Sequence, residues 1–416
     1  MNETLATADV PSPAVPPDPV TADAAFPIPV PPADPPCAYA RLRAERPVVL
    51  GRLPNGETGW LVTRHQDARA AFADPRLTRP LLSAWPPRDG PGAPPPCPPT
   101  FLEMTGEHHE RVRRTVQPLF TRARLARDAP RIRATAGALV DAMTAGGRRE
   151  ADLVAEFAEP FPLRVLCDTT GLPYEERERY LPHTLTLLSA AGLGTDEILA
   201  ALYALLDYAE DLVRRRERDP GEDHVSLLLA ESRRPGGGVT RDDVLSFVVT
   251  MLMAGYKTNI QHTANALLLL LTHPEQLRRL REDLSGTGTA VEELLRYVPL
   301  MNAINVLVAL EDHSLQGQPI RAGDAVLPVI ASANRDAAVF DGPDRLDLTR
   351  TPNPHLAFGH GPHYCTGAQL TRLQLTIAVQ VLTERLPGLE LAAPAESLDW
   401  DETTPLRAPA RLPVRW

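Results

Sequence analysis

The chain has 416 residues, 43% hydrophobic and 23% charged, enough apolar material for a large core in one domain or in two or three. A formal net charge of −10 argues against a general nucleic-acid binder, because phosphate binding needs a basic surface that releases counterions. Cys37, Cys97, Cys167 and Cys365 lie far apart with no C-x-x-C pair, which suggests neither a disulfide framework nor a zinc ribbon and fits a reducing cytoplasm.

Residues 1–40 contain no Lys or Arg, and prolines break every apolar run. A signal peptide needs a positive n-region and an unbroken apolar segment, so this stretch reads as a disordered or extended arm. Residues 48–62 alternate around Asn55-Gly56, which suits a tight hairpin turn. The segment "HQDARAAFADP" reads as a short helix, whereas residues 77–101 are too rich in Pro and Gly for a regular element. A loop of that length is usually functional or mobile. From Glu107 to about Leu284 the apolar residues keep helical period, broken by Gly/Pro punctuation, so the centre is expected to be a helical bundle.

Thr240 is the expected N-cap of a long apolar helix, with Asp242 and Asp243 in its first turn. Running unbroken to about His273, it would be roughly 50 Å long and must cross the core. Lys257, Asn259, Gln261, His262 and Asn265 interrupt it too often for a bilayer span. A helix around 288–297, short strands within 305–330 and a helix from about Thr366 to Glu384 follow. With no repeat and no linker after residue 40, residues 41–416 are expected to form one domain, mainly α with small β-sheets at one side (α+β).

The most informative segment is "FGHGPHYCTG", residues 358–367. Gly359, Gly361 and Gly367 flank Cys365 just before a helix start, which lets backbone approach something flat or bulky. Amides and a helix N-terminus aimed at Cys365 would lower its pKa and hold a thiolate, either a ligand or a nucleophile. The residues alone leave three readings open. Cys365 is a buried cysteine in a glycine-rich turn, a zinc ligand with His360 and His363, or the single axial ligand of a haem iron.

The same segment resembles the cysteine-ligand loop of the cytochrome P-450 superfamily, F-G-x-G-x-(H/R)-x-C-x-G, at every fixed position. Other motifs follow in the family's order. "EELLR" resembles its E-x-x-R pair as Glu293 and Arg296, which alone would read as a solvated ion pair of little worth. "PDRLDLTR" (343–350) resembles the stretch that meets that pair. "EHHERVRR" places His109 and Arg113 four apart, as in the helix that contacts a haem propionate, although alone it would be an ordinary polar face. "AGYKT" resembles the A-G-x-(E/D)-T groove of the central helix. The resemblance runs from about Pro47 to the C-terminus and is to soluble bacterial members.

That resemblance implies a P-450 fold around a buried haem b, with Cys365 as proximal ligand, whose electron donation favours O–O cleavage. Phe358, Gly359 and Gly367 would line the ligand loop. His109, Arg113 and His363 would neutralise the two propionates, since buried carboxylates need charged or hydrogen-bonded partners. The family often has an arginine two residues before the alanine of "ALED", where this chain has Leu307. Ala254 and Thr258 share a helix face. Gly255 and Thr258 would open the helix over the iron, with Thr258 as proton-relay alcohol.

The residue before that threonine is usually an acid, and here it is Lys257, the chain's only lysine, followed by Asn259 where a second hydroxyl is common. Two readings of Lys257 stand. It reaches a nearby Asp or Glu or snorkels to water, or it alters proton supply or touches substrate. Pocket walls would come from Leu81, Leu82 and Trp85, from Met251, Ala254 and Gly255, and from Asn302, Ile304 and Asn305. The amides among them suit a substrate with a few polar groups.

The run from Arg111 to Arg133 holds eight arginines against one aspartate. It reads as a solvated helical face, or as the docking surface for an acidic ferredoxin that delivers electrons from a ferredoxin reductase. The expected activity is hydroxylation or epoxidation of a secondary metabolite by a cytoplasmic monomer without a membrane anchor. The alternatives are oxidative coupling of aromatic rings, as in cyclic dipeptides, and a non-enzymatic haem sensor or transport protein.

Overall fold

The computed structural model describes residues 37–52, 58–79, 100–189, 195–300, 306–401, 406 and 408–416. Most of the arm, the Asn55-Gly56 turn and the pocket candidates Leu81, Leu82, Trp85, Asn302, Ile304 and Asn305 lie outside the described residues.

The chain opens with α1 (Cys37–Glu45), β1 (Val48–Arg52), β2 (Thr58–Val62), α2 (His65–Ala73) and β3 (Leu77–Thr78). The expected hairpin forms, with β1 antiparallel to β2 from Val48↔Val62 to Arg52↔Thr58. A helical centre follows: α3 (Gly106–Val116), α4 (Arg122–Thr144), strand β4 (Glu150–Asp152), α5 (Pro160–Thr170), α6 (Arg177–Leu188), α7 (Thr195–Arg218), α8 (His224–Ser232), α9 (Arg241–Gly255), α10 (Lys257–Thr272), α11 (Pro274–Glu282) and α12 (Thr287–Tyr297). The last part contains β5 (Leu307–Ala309), β6 (His313–Leu315), β7 (Gln318–Ile320), β8 (Ala325–Pro328), α13 (Ile330–Ala333), α14 (Ala368–Arg385), β9 (Glu390–Leu391) and β10 (Pro413–Arg415).

Among the described residues the largest sheet has the order β1-β2-β8-β5-β3, with β2 and β8 parallel and the other pairs antiparallel. Small sheets beside a mainly helical body are what the sequence led us to expect. A small β4-β10-β9 sheet ties the C-terminus to the segment between α4 and α5.

The central helix starts as expected, with a reciprocal capping box between Thr240 and Asp243. Every residue from Ile260 to Leu270 is buried, which marks a helix crossing the core. The expectation of one unbroken helix is corrected: Tyr256, at φ −97° and ψ −78°, separates α9 from α10. A Cβ on Gly255 would stand 2.9 Å from Leu166 Cδ1, so the chain turns where α5 approaches closely.

Glu293 and Arg296 on α12 are wholly buried, unlike a solvated pair. Arg296 donates to both carboxylate oxygens at 2.7 and 2.8 Å, and to the carbonyls of Asn334, Pro343 and Arg345. The 343–350 stretch meets the pair as expected: Arg350 Nε and the Asp347 amide also donate to Glu293. Fixing several carbonyls and two arginines on one buried carboxylate orders the chain that leads into the Cys365 loop.

Candidate functional site

The loop before α14 is folded on its own backbone. The amide of Gly359 donates to Leu356 O, that of Tyr364 to Gly361 O, and that of Cys365 to Phe358 O. Gly359 and Gly361 have φ of +70° and +73°, a conformation that favours glycine. A Cβ on Gly361 would meet Phe72 O at 2.6 Å, so this glycine serves the contact with α2, whereas a Cβ on Gly359 would meet nothing within 4 Å. Gly367 follows Cys365 as the residue before α14. Phe358 is buried in the loop, with the Arg372 guanidinium 4.6 Å from its ring centre.

Cys365 is exposed, which removes the reading as a buried structural cysteine. Burial is nevertheless the largest influence on its thiol and raises its pKa, outweighing the Gly367 amide, Arg113, Arg372 and Arg79. The side chain therefore lies deep in the protein while facing open space. The expected lowering of its pKa is corrected, because desolvation disfavours the anion more than the loop amides favour it. A bound metal deprotonates a coordinating thiol outright, so a thiolate at this position would require a metal to hold it.

The zinc reading fails on geometry. Among the described residues no group of three or more His, Cys, Asp or Glu side chains is arranged to hold a metal ion. His360 instead accepts from Arg69 Nε at 3.2 Å.

Beside the loop the structure gathers His109 and Arg113 from α3, His363 from the loop and Arg79 from the end of β3. The imidazoles of His109 and His363 stack with centres 4.1 Å apart. Arg113 Nη2 donates to Tyr364 O at 2.6 Å. Burial, then Arg113, Arg79 and His108, pushes His109 down to about 4. Burial, then Arg79, His109 and Arg113, pushes His363 down to about 3. Neutral imidazoles among guanidinium groups, with an exposed thiol beside them, suit a ligand that brings both a metal and carboxylates. Sequence reasoning did not single out Arg79, because it precedes the Pro-rich stretch and belongs to no motif there.

On the central helix, Met251, Ala254, Gly255 and Thr258 are only half-buried, whereas Leu252, Met253 and Tyr256 are buried. Their spacing of three and four places them on one face. At the break Thr258 Oγ1 donates to Ala254 O, and Asn259 Nδ2 donates to Gly255 O at 2.9 Å. Thr371 Oγ1 of α14 donates to Asn259 Oδ1 at 2.8 Å. Asn259 therefore supports the opened carbonyl and ties it to α14, which a hydroxyl could not do in the same way. Lys257 Nζ lies 2.6 Å from Asp401 Oδ2, so the lysine reaches an acid, and that acid comes from the C-terminal segment.

Comparison with known proteins decides the family. The sequence model described as Cytochrome P-450 matches residues 201–386. Mycinamicin IV hydroxylase/epoxidase of Micromonospora griseorubida is 40% identical over 380 residues, covering 91% of this chain and 94% of that protein. The chain belongs to the cytochrome P-450 family. Nocardicin C N-oxygenase of Nocardia uniformis subsp. tsuyamanensis is also 40% identical, over 91% of this P-450 and 94% of its own length. The crystal structure of HinD with NMFT and NO has a TM-score of 0.85 at 39% identity and covers 94% of this chain and 99% of that one. The P-450 fold and a haem-dependent oxidoreductase of the monooxygenase type are thereby established. A small-molecule substrate and redox partner proteins come with the family.

Proposed function

We propose that this P-450 inserts oxygen into a small secondary metabolite by regioselective hydroxylation or epoxidation, using haem b and electrons from a ferredoxin and its reductase. The exposed Cys365 on its glycine loop, beside the His109, Arg113 and His363 cluster, carries this reading. Relatives named as a hydroxylase/epoxidase and an N-oxygenase support the reaction class. No observation in the site favours aromatic coupling.

When bound, the haem supplies dioxygen activation. Cys365 would hold its iron, while His109, Arg113 and His363 would hold the propionates and Phe358 would pack at the ligand loop with Gly359 and Gly367. Ala254 and Gly255 keep the central helix face small, and Met251 adds apolar wall. Thr258 moves the proton. Its hydrogen is engaged by Ala254 O, so its oxygen is free to accept, and donation onward requires the helix-break hydrogen bond to open. Lys257, held by Asp401, fixes the break from the other side.

The domain is read as residues 41–416, acting as a cytoplasmic monomer. In support, no described helix is long and apolar enough to cross a membrane. Arg114, Arg122 and Arg127 remain exposed on the basic run and would receive an acidic ferredoxin. Turnover with a ferredoxin system under isotopically labelled dioxygen tests the function. A product carrying one labelled oxygen supports oxygen insertion, and an unlabelled dimer or cyclised product overturns it in favour of coupling.

A further inference from the structure

The position that lacks an arginine, Leu307, has a neighbour across the sheet. β3 and β5 pair antiparallel with Leu77↔Ala309 and Thr78↔Val308, and the Leu310 amide donates to Arg76 O at 2.8 Å on the same register. Continued by one residue beyond β3, that register sets Arg79 against Leu307. Residues directly opposite in an antiparallel pair project from the same face, and residues two apart on one strand share it. Leu77, Ala309 and Leu307 are all buried, so this face is turned to the interior. The Arg79 Nε is buried as well.

We infer that Arg79 is a haem-binding residue that holds a propionate carboxylate from β3, doing from the adjacent strand what an arginine at Leu307 would do. The inference rests on the haem-thiolate reading above and goes beyond it in assigning a residue. Arg79 acts electrostatically on His109, Arg113 and His363, which places it in the same cluster. Burial pulls its own pKa down to about 10, so the guanidinium has lost hydration, a cost that a propionate carboxylate would offset. A shift of one strand preserves the face and the charge while changing the residue that carries it.

The test uses haem-loaded wild type, Arg79→Gln, Arg79→Lys and the double variant Arg79→Gln/Leu307→Arg. Each is loaded with haem or with haem dimethyl ester, whose propionates carry no charge. Transfer of the group to excess apomyoglobin gives its loss rate without any turnover. Arg79→Gln is expected to lose haem roughly tenfold to a hundredfold faster than wild type, the range for one hydrogen bond to a charged group. Arg79→Lys should lie between them, the double variant should recover most of the difference, and all four should release the dimethyl ester alike. A wild-type rate in Arg79→Gln overturns the assignment, as does equal acceleration with the ester. So does a double variant that binds haem but shows no recovery. Wild type that takes up no haem would overturn the haem reading itself.

Discussion

Lys257 at the start of α10 and Asp401 in the C-terminal segment form an ion pair at 2.6 Å, each side chain less than one-fifth exposed. One turn along the same helix face, Gln261 Nε2 donates to Leu406 O at 2.7 Å. The only lysine of the chain is therefore half of a two-point attachment that holds the C-terminal segment against the broken central helix. The cation is on the helix and the acid is on the segment.

Breaking a partly buried pair leaves a charge that water solvates poorly. Lys257→Glu is expected to retain haem but to lower stability by about 1–3 kcal/mol, because two carboxylates then face each other. Asp401→Lys in the same chain should restore most of that loss. Thermal unfolding of the haem-loaded variants checks this, and the ratio of product to NADPH consumed should change in Lys257→Glu and return in the double variant. Unchanged coupling would reduce Lys257 to a structural tie.

Glu293 accepts from Arg296, Arg350, Asn353 and the Asp347 amide with no exposed surface. Its neutral isostere in Glu293→Gln strands two buried guanidinium groups, and a stability loss of about 3–5 kcal/mol is expected. Urea unfolding of haem-loaded protein measures it. A loss below about 1 kcal/mol would mean that the carboxylate does not organise this region.

Two buried histidines set an acid limit. Burial, then Arg124 and Arg131, pushes His224 down to about 4, and burial, then His355, pushes His262 down to about 4, from an ordinary 6.5. Between these values the unfolded chain binds protons that the native chain refuses, so stability falls as the pH drops from 6.5 towards 4. With both groups the slope reaches roughly 2–3 kcal/mol per pH unit. His224→Phe, whose ring would lie against Phe120 and Phe247, should lower the slope by one group's share, roughly 1.4 kcal/mol per pH unit. A pH-independent unfolding midpoint across this window would contradict the assignment.

Of the basic run, Arg131 pairs with Asp128 and Arg133 pairs with Glu384, whereas Arg114, Arg122 and Arg127 remain exposed. Reversing the latter three to Glu should slow reduction by an acidic ferredoxin by roughly tenfold or more at low salt and remove most of its salt dependence. Stopped-flow reduction at several ionic strengths gives the answer, and a flat wild-type dependence would reject docking on this face.

Much of the site was legible because its chemistry is local in sequence. The Cys365 loop, the His109–Arg113 spacing and the E-x-x-R pair each sit within one turn or one loop, so a motif carries them. What was missed depends on contacts between distant segments. Arg79 joins the cluster only through strand pairing with β5, and Asp401 meets Lys257 only because the C-terminus folds back over α10. No proline marks the break at Tyr256, and Leu166 of α5 has no signature in the helix it displaces. The state of Cys365 was misjudged for the same reason, because desolvation is set by the whole surrounding fold rather than by its own loop.

The most direct measurement is the absorption spectrum of the haem-supplied protein, reduced and exposed to carbon monoxide, for wild type and Cys365→His. Wild type should give the red-shifted Soret band of thiolate ligation, and Cys365→His should replace it with the band of an imidazole-ligated haem. A wild-type spectrum already of the imidazole kind, or well-folded protein with no haem band, would contradict the assignment of Cys365 as the iron ligand.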